Sequence, residues 1–493
     1  MLTRLRNLIS PYKLLLPLCF GVFIAADDMT VVVTLLPDMM ADLRVGVSEL
    51  DRASWAITGY LIGFTAAMPL MGRISDRMGY RRAFLISMAV FTLGSILVAV
   101  SPNIPGWLYG GQPEYNWLVG TRVFQAIGGG AVIPISIAAV GELVDGKRRA
   151  IAYGLIGASA EAGGVFGPLW GGGITTWLSW EWAFWLNIPV TVIAAIWVMR
   201  NPPGKRNNVR VNVPVSIVFA AALTLLTIGL VRVGSPDALM AISLVTTVLL
   251  VILLVFMNNR SSDPLFPQKL FKLPSFNNSN LTHFLIGAVL IIGMITVPLM
   301  AASVFAKSPL EGGLQLLRMT IAIGIGAIVG GYVTQRFGAR IPSIIGLLIT
   351  TLGFLLLSSW TIDIAEPMLT IHLAIAGLGL GLLVSPIAEM ALRGVQGDQR
   401  GAASALLSVS RMVGMTAGLA VMTALGTVQF QNLVADVPAF SMDPDVQQQI
   451  VDSATDAAVE VFTRFYLYAA GLAALALIPA WLMTRSSKSQ TSS

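Results

Sequence analysis

The sequence predicts an all-α integral membrane protein of about 14 transmembrane helices, and three observations predict it. Of its 493 residues 55% are hydrophobic and only 11% are charged, about half the charge of an average soluble chain. Apolar runs of 18 residues or more recur along the whole length, each long enough to cross a bilayer as a helix. The basic residues gather in alternate short loops, the pattern of membrane topology, so the net charge of +6 gives no reason to expect a nucleic-acid partner.

The spans are expected at about 14–40, 53–71, 83–100, 117–140, 150–176, 182–198, 213–231, 239–257, 281–305, 312–333, 341–360, 368–391, 401–428 and 461–484. Arg4, Arg6 and Lys13 precede the first, and Ile24 to Ala26 could pass for a signal-peptidase site. The apolar run continues to about Met40, however, which makes it an uncleaved first span. The single cysteine, Cys19, lies within it as a small apolar residue, and no intrachain disulfide is available. About 23 lysines and arginines fall on one side of the spans against about five on the other. The basic side is read as cytoplasmic, with both termini on it.

The longest loop, 429–460, is acidic and lies on the outer side. Its second half, 445–460, reads as an amphipathic helix running into the last span, with Val446, Ile450, Val451, Ala454 and Ala458 on one side. It is either a solvated acidic loop or a rigid helical hairpin that could pass an apolar substrate onward. On the inner side, 258–280 alternates leucine and phenylalanine with Lys269 and Lys272, as expected of an interfacial stretch on anionic lipid.

The chain repeats itself. GRISDRMGYR at 72–81 aligns without gaps on GYVTQRFGAR at 331–340, matching Gly72 with Gly331, Arg77 with Arg336, Gly79 with Gly338 and Arg81 with Arg340. Both copies lie in inner loops, after the second and tenth spans, and duplicated halves are how many secondary transporters build alternating access. Asp76 can pair with arginine or face a helix N-terminus, a contact that opening of an inner gate would break. Gln335 stands in its place in the second copy, where the latch should be weaker.

The fifth span carries too many glycines for a soluble helix: Gly154, Gly163, Gly167 followed by Pro168, then Gly171 and Gly172. In lipid such residues let backbones approach closely, and Gly167–Pro168 permits a kink.

Ionisable groups inside spans are costly and mark function. Asp27 and Asp28 lie midway along the first span, Glu161 midway along the fifth, Arg122 and Arg318 in the outer thirds of the fourth and tenth, and Arg411 inside the thirteenth. Apolar surroundings favour a protonated carboxyl group and a nearby arginine favours its anion, so an acid held between them can load a proton on one side and release it on the other. Asp28 is the first choice for that acid and Glu161 the next. Arg411 is the switch partner, and a static buried pair such as Asp28 with Arg411 is the alternative. Asp27 and Asp28 point about 100° apart and cannot face the same partner. His283 and His372 read as polar anchors near span ends, and Glu389 with Arg393 as a local helical pair.

Several of these stretches resemble a known family. The glycine series of the fifth span is similar to the antiporter motif of the major facilitator superfamily, and 72–81 to the signature loop between its second and third helices. The segment from Asp28 and Thr30 to Pro37 resembles the first-helix motif of the 14-helix drug:proton antiporters. Trp55 to Tyr60 with Pro69 and Gly72, and Trp180 to Pro189 with Asn187, resemble that branch's second and sixth helices. Thr121 to Gly128 resembles its fourth-helix motif, with Ala126 in place of a glycine. The set Asp28, Glu161 and Arg411, with the long outer loop, is similar to the actinobacterial triacylglyceride exporters of the same branch.

The resemblance implies two six-helix halves plus two extra helices. The N-terminal half is expected at 1–200, the two extra helices at 201–260, an interfacial linker at 261–280, the C-terminal half at 281–484 and a cytoplasmic tail at 485–493. It implies a monomeric proton-coupled exporter of hydrophobic or amphipathic compounds in a bacterial cytoplasmic membrane, with lipid export as the alternative. Asp28, Asp27, Glu161, Arg122 and Arg411 would then handle the proton, Arg122 as a transfer arginine. Gly72, Asp76, Arg77, Gly79, Arg81, Gln335 and Arg336 would form the gating loops. A lipid-accepting protein on the outer side is a candidate partner, and no cofactor or metal is implied. The chain has no GxxxxGK[ST] phosphate loop for ATP-driven pumping. A membrane-embedded lipid-modifying enzyme is a distant alternative, since two distant histidines and one cysteine form no visible cluster. A channel would want polar-lined helices and a filter.

Overall fold

The computed structural model describes residues 13–43, 50–104, 114–144, 146–202, 204–207, 210–234, 236–262, 264–307, 309–435 and 444–485. Among them lie fourteen long helices and no strand: α1 Leu16–Asp42, α2 Leu50–Met78, α3 Tyr80–Ala99, α4 Glu114–Leu143, α5 Arg149–Trp177, α6 Trp182–Val198 and α7 Val213–Val231. Then come α8 Ala238–Arg260, α9 Pro274–Ser303, α10 Pro309–Phe337, α11 Arg340–Leu357, α12 Glu366–Leu392, α13 Arg400–Leu433 and α14 Pro444–Leu475, closed by a short α15, Leu477–Arg485. Eleven of the described helices are long and apolar enough to cross a membrane, and α1, bent by 49° between Val32 and Thr34, makes a twelfth. The other two are the glycine-rich α5 and the 17-residue apolar α6.

Helix packing repeats with a pseudo-twofold relation. In the first half α1 lies along α5, α2 along α4, and α3 against α4 and α6; in the second half the same pairs are α9 with α13, α10 with α12, and α11 with α12 and α14. The halves meet at two seams of the same kind, α5 on α10 and α2 on α13. The pair α7–α8 lies outside this plan, with α7 against α2 and α13, and α8 presents Ile242, Val245, Val248 and Ile252 outward. That is the surface of a lipid-facing helix. Asn212 caps α7 through the amide of Val215, and Asp237 caps α8 through that of Met240.

The small residues of α5 set the spacing. A Cβ at Gly163 would stand 2.1 Å from the carbonyl oxygen of Phe23 on α1, and one at Gly167 2.6 Å from that of Asp27. One at Gly171 would meet Thr34 Oγ1 at 2.3 Å, whereas one at Gly172 would meet nothing within 4 Å. On another face a Cβ at Gly154 would stand 2.3 Å from the carbonyl oxygen of Ala327 on α10. Four of the five glycines thus permit backbone contact, and α5 stays helical through Gly167 and Pro168.

The second half of the acidic outer loop is the first part of α14, while residues 436–443, with Asp436 and Asp443, lie outside the described ones. Val446, Ile450, Ala454 and Ala458 are half-buried along one face, but Val451 is 57% exposed, rotated about 100° from Ile450. Helix α14 joins the bundle from Ala457, Val461 and Phe462 onward, all buried, and further along Gln429 Nε2 donates to Tyr468 Oη (3.0 Å) and Tyr466 packs on Trp360. From Pro444 to Ala457 is about 20 Å of helix. Glu389 and Arg393 make no direct ion pair, because α12 ends at Leu392 and Arg393 is extended (φ −70°, ψ 127°).

Gly163→Val should lower thermal stability in detergent by about 1–3 kcal/mol by forcing α1 off α5. Gly164→Ala, where a Cβ meets nothing within 4 Å, should leave it unchanged or raise it.

Candidate proton-coupling site and inner gate

In the middle of the first half Asp28 and Arg122 are both fully buried, and Arg122 Nη1 donates to Asp28 Oδ2 at 2.6 Å. The other carboxylate oxygen, Oδ1, accepts from Gln125 Nε2 (2.9 Å) and Asn187 Nδ2 (2.7 Å). Arg122 also donates to Gln125 Oε1 (2.7 Å) and to the Asp28 carbonyl (3.2 Å), and its guanidinium lies 4.1 Å from the centre of the Tyr60 ring. Gln125 donates onward to Ser95. Helices α1, α3, α4 and α6 thus converge on one carboxylate both of whose oxygens accept hydrogen bonds. A charge-assisted network so satisfied is neutral as a unit and tolerable in an apolar interior.

Asp27, next in the chain, is 8% exposed, and its Oδ1 has no hydrogen-bond partner. It lies where α1 runs against α5, on a different side of the helix from Asp28.

The second ion pair joins the halves. Arg411 Nη2 of α13 contacts Glu161 Oε1 of α5, with the Glu161 side chain 7% and that of Arg411 19% exposed. The pairing of Asp28 with Arg411 held open by the sequence does not occur. Asp28 is taken by Arg122, which α4 carries at the same depth, and Arg411 reaches from the other half to Glu161. Arg411 lines a cavity of about 50 Å³ between the halves, with Met68, Ile156, Val384, Ala388 and His283. His283 is therefore not an anchor at a span end. Helix α9 begins at Pro274, which places His283 inside the span, with its Nδ1 2.9 Å from the Leu407 carbonyl oxygen of α13. His372 does sit near a helix start, accepting from Trp360 Nε1 at 3.1 Å.

The inner ends of α2 and α13 form a latch. Asp76 Oδ1 accepts from the amide of Gly401 (2.7 Å) and Oδ2 from that of Ala402 (3.2 Å), so the carboxylate caps the N-terminus of α13. Arg73 sits 3.6 Å from Asp76 and donates to the carbonyls of Pro264 (2.6 Å) and Asp398 (3.4 Å), stitching the 261–280 linker to the latch. A Cβ on Gly72 would stand 2.4 Å from the Gly401 carbonyl oxygen. Gly79 turns the chain at φ +84°, and Arg81 donates to the Asn201 carbonyl at 2.7 Å. Arg77 is exposed. The repeat reproduces the glycine but not the latch: Gly331 abuts Ile151 on α5, while Gln335 and Arg336 are exposed, the latter beside Phe337.

Sequence reading missed Ser95, Tyr60 and Arg73 as members of these sites. Gln125 and Asn187 were visible as polar residues inside spans, the signal by which such partners are found.

This arrangement of repeated halves, buried ion pairs and an inner latch is that of a membrane transporter. The Major Facilitator Superfamily model matches residues 18–303 and 280–492, and the chain belongs to that superfamily. It is 34% identical over 441 residues to a triacylglyceride transporter of Mycolicibacterium hassiacum, covering 84% of this chain and 79% of the relative. It is 33% identical to one of Mycobacterium tuberculosis strain H37Rv over 445 residues, 85% of this chain and 83% of the relative. Two solved structures share the fold: the human organic anion transporter MFSD10 (TM-score 0.61, 16% identity, 94% and 99% of the two chains) and the proton:xylose symporter XylE (TM-score 0.60, 14% identity, 93% and 94%).

Arg122→Gln should cost about 3–5 kcal/mol of stability, because Asp28 is left buried with its charge unpaired, and Asp28→Asn in the same chain should recover most of it. Thermal unfolding of the three variants measures both. With Cys19→Ala removing the one native thiol and Ser404→Cys placing a buried one behind the latch, Asp76→Ala should raise the alkylation rate several-fold.

Proposed function

We propose that the protein is a proton-coupled secondary exporter of hydrophobic or amphipathic compounds, working by alternating access, with a triacylglyceride-like lipid as its favoured substrate. The observation that carries this reading is the Glu161–Arg411 pair, an ion pair joining the two halves beside an apolar cavity. Pulling such a pair apart in a low-dielectric interior strands two charges. A proton on Glu161 leaves only Arg411, which borders the cavity and is the more exposed of the two, so protonation lowers the cost of separating the halves. Proton uptake would thereby release one arrangement of the halves, and loss of the proton would restore it.

Substrate chemistry follows from two supports. The cavity wall is apolar apart from a few groups, chiefly His283, Ser408 and Arg411, and the relatives named as triacylglyceride transporters align over most of the chain. A cavity of about 50 Å³ is far below the roughly 300–1,000 Å³ of a drug-sized site, so substrate enters a more open arrangement. Opening on the inner side would break the Asp76 cap on α13 and the Arg73 contacts with the linker.

The basic loops orient the chain with both termini in the cytoplasm of a bacterial inner membrane. The projecting part of α14 then stands on the outer side, where a lipid-accepting protein could receive cargo. The chain acts as a monomer. A second reading, efflux of amphipathic cations, would use the Glu161 carboxylate, next in the chain to the cavity-lining Ala160, once Arg411 has released it.

Purified protein in proteoliposomes, with a pH-sensitive dye inside and an imposed proton gradient, tests the reading. A fluorescent triacylglyceride should drive proton movement, and Glu161→Gln should reduce it at least about tenfold. Movement triggered only by an amphipathic cationic dye would transfer the assignment to drug efflux. Proton movement with neither would overturn the coupling.

A further inference from the structure

We propose that Asp27, not Asp28, is the acid that takes up and releases a coupled proton, and that Asp28 is a permanent anion holding Arg122 in place. This rests on the proton-coupled reading above and assigns its carrier in the first half of the molecule.

The two adjacent carboxyl groups live in opposite circumstances. Asp28 receives three side-chain hydrogen bonds, one of them from a buried guanidinium, and has 0% exposure. Protonating it would remove an acceptor from Arg122, Gln125 or Asn187 and leave a buried cation without its anion, a costly step with no compensation in view. Asp27 has no such donors. Its Oδ1 is buried without a partner, and the cations of the surrounding helices are already engaged. Helix α4 offers only Arg122, bound to Asp28; α5 carries Glu161, bound to Arg411 of the other half; α2 offers Tyr60, turned toward the Ala25 carbonyl; and α6 contributes the uncharged Asn187, also bound to Asp28.

One arginine balances one aspartate. An ionised Asp27 would add a second negative charge beside Asp28 in an apolar surrounding, so its resting form is the neutral acid. A proton can leave Asp27 without dismantling any hydrogen bond of the Asp28 cluster. Its backbone also lies against Gly163 and Gly167 of α5, the helix that carries Glu161, so a shift of α5 changes the surroundings of both acids together.

A hydrophobic carbodiimide, which attacks protonated carboxyl groups in apolar surroundings, distinguishes the two residues in the unaltered protein. Fragment mass spectrometry should find the adduct on Asp27, with labelling slowing as pH rises. An adduct on Asp28 with Asp27 untouched, or on neither, would overturn the proposal. In detergent, a fluorescent triacylglyceride should release protons from the wild-type protein, and Asp27→Asn should cut that release at least about tenfold. Undiminished release from Asp27→Asn would sink the assignment to Asp27 alone. Absence of release from the wild type would sink the coupled reading beneath it.

Discussion

An ionised side chain in a bilayer interior must be matched by an opposite charge, and the architecture of this protein is arranged around two such matches. Asp28 and Arg122 lie 94 residues apart in sequence, and Glu161 and Arg411 lie 250 apart. Each pair forces particular helices together. The first gathers α1, α3, α4 and α6 into the centre of one half; the second fastens that half to the other. The difference between them is the number of additional donors. Asp28 accepts three side-chain hydrogen bonds, which suits a fixture, whereas the Arg411 end of the Glu161 pair borders a cavity, which suits a contact that is made and broken.

Close approach of backbones makes these pairings reachable. Gly163, Gly167 and Gly171 let α1 lie directly on α5, while Gly154 and Gly331 do the same for α5 and α10, and Gly72 with Gly401 for α2 and α13. The two seams are thus built alike, as a duplicated chain would build them. They are not latched alike. Asp76 caps α13 at one seam, and the exposed Gln335 has nothing comparable to hold at the other. One carboxylate on one helix dipole thus holds the basic-loop end of the α2–α13 seam, and Arg73 extends the contact to the linker through Pro264.

The elements outside the two halves have separate characters. Helix α8 shows apolar side chains outward along its length, and α7 lies across the edge of the α2–α13 seam. At the opposite extreme α14 runs about 20 Å before its buried residues begin at Ala457, keeping a narrow half-buried face of Val446, Ile450 and Ala454.

Much of this was legible in the residues. Hydropathy and loop charge predicted fourteen helices, and all but the last are centred within about five residues of those observed, because a bilayer leaves the chain few alternatives to apolar helices of fixed length. The last expected span, 461–484, is instead the second half of α14 with α15. Spans such as Trp182–Val198 and Val213–Val231 even have the expected ends. The contacts of Asp76 were foreseeable, since a carboxylate beside basic residues in such a loop has few partners other than arginine and a helix terminus. The misses share one cause. Which arginine meets Asp28, the inward placement of His283 and the loss of a Glu389–Arg393 pair depend on how helices rotate and where they end. Composition and periodicity therefore determined the fold class, the membrane orientation expected of it and the roster of intramembrane charges. Only the tertiary structure decided their pairing, because partners far apart in sequence are chosen by depth and facing across helix contacts, and those are settled when the halves pack.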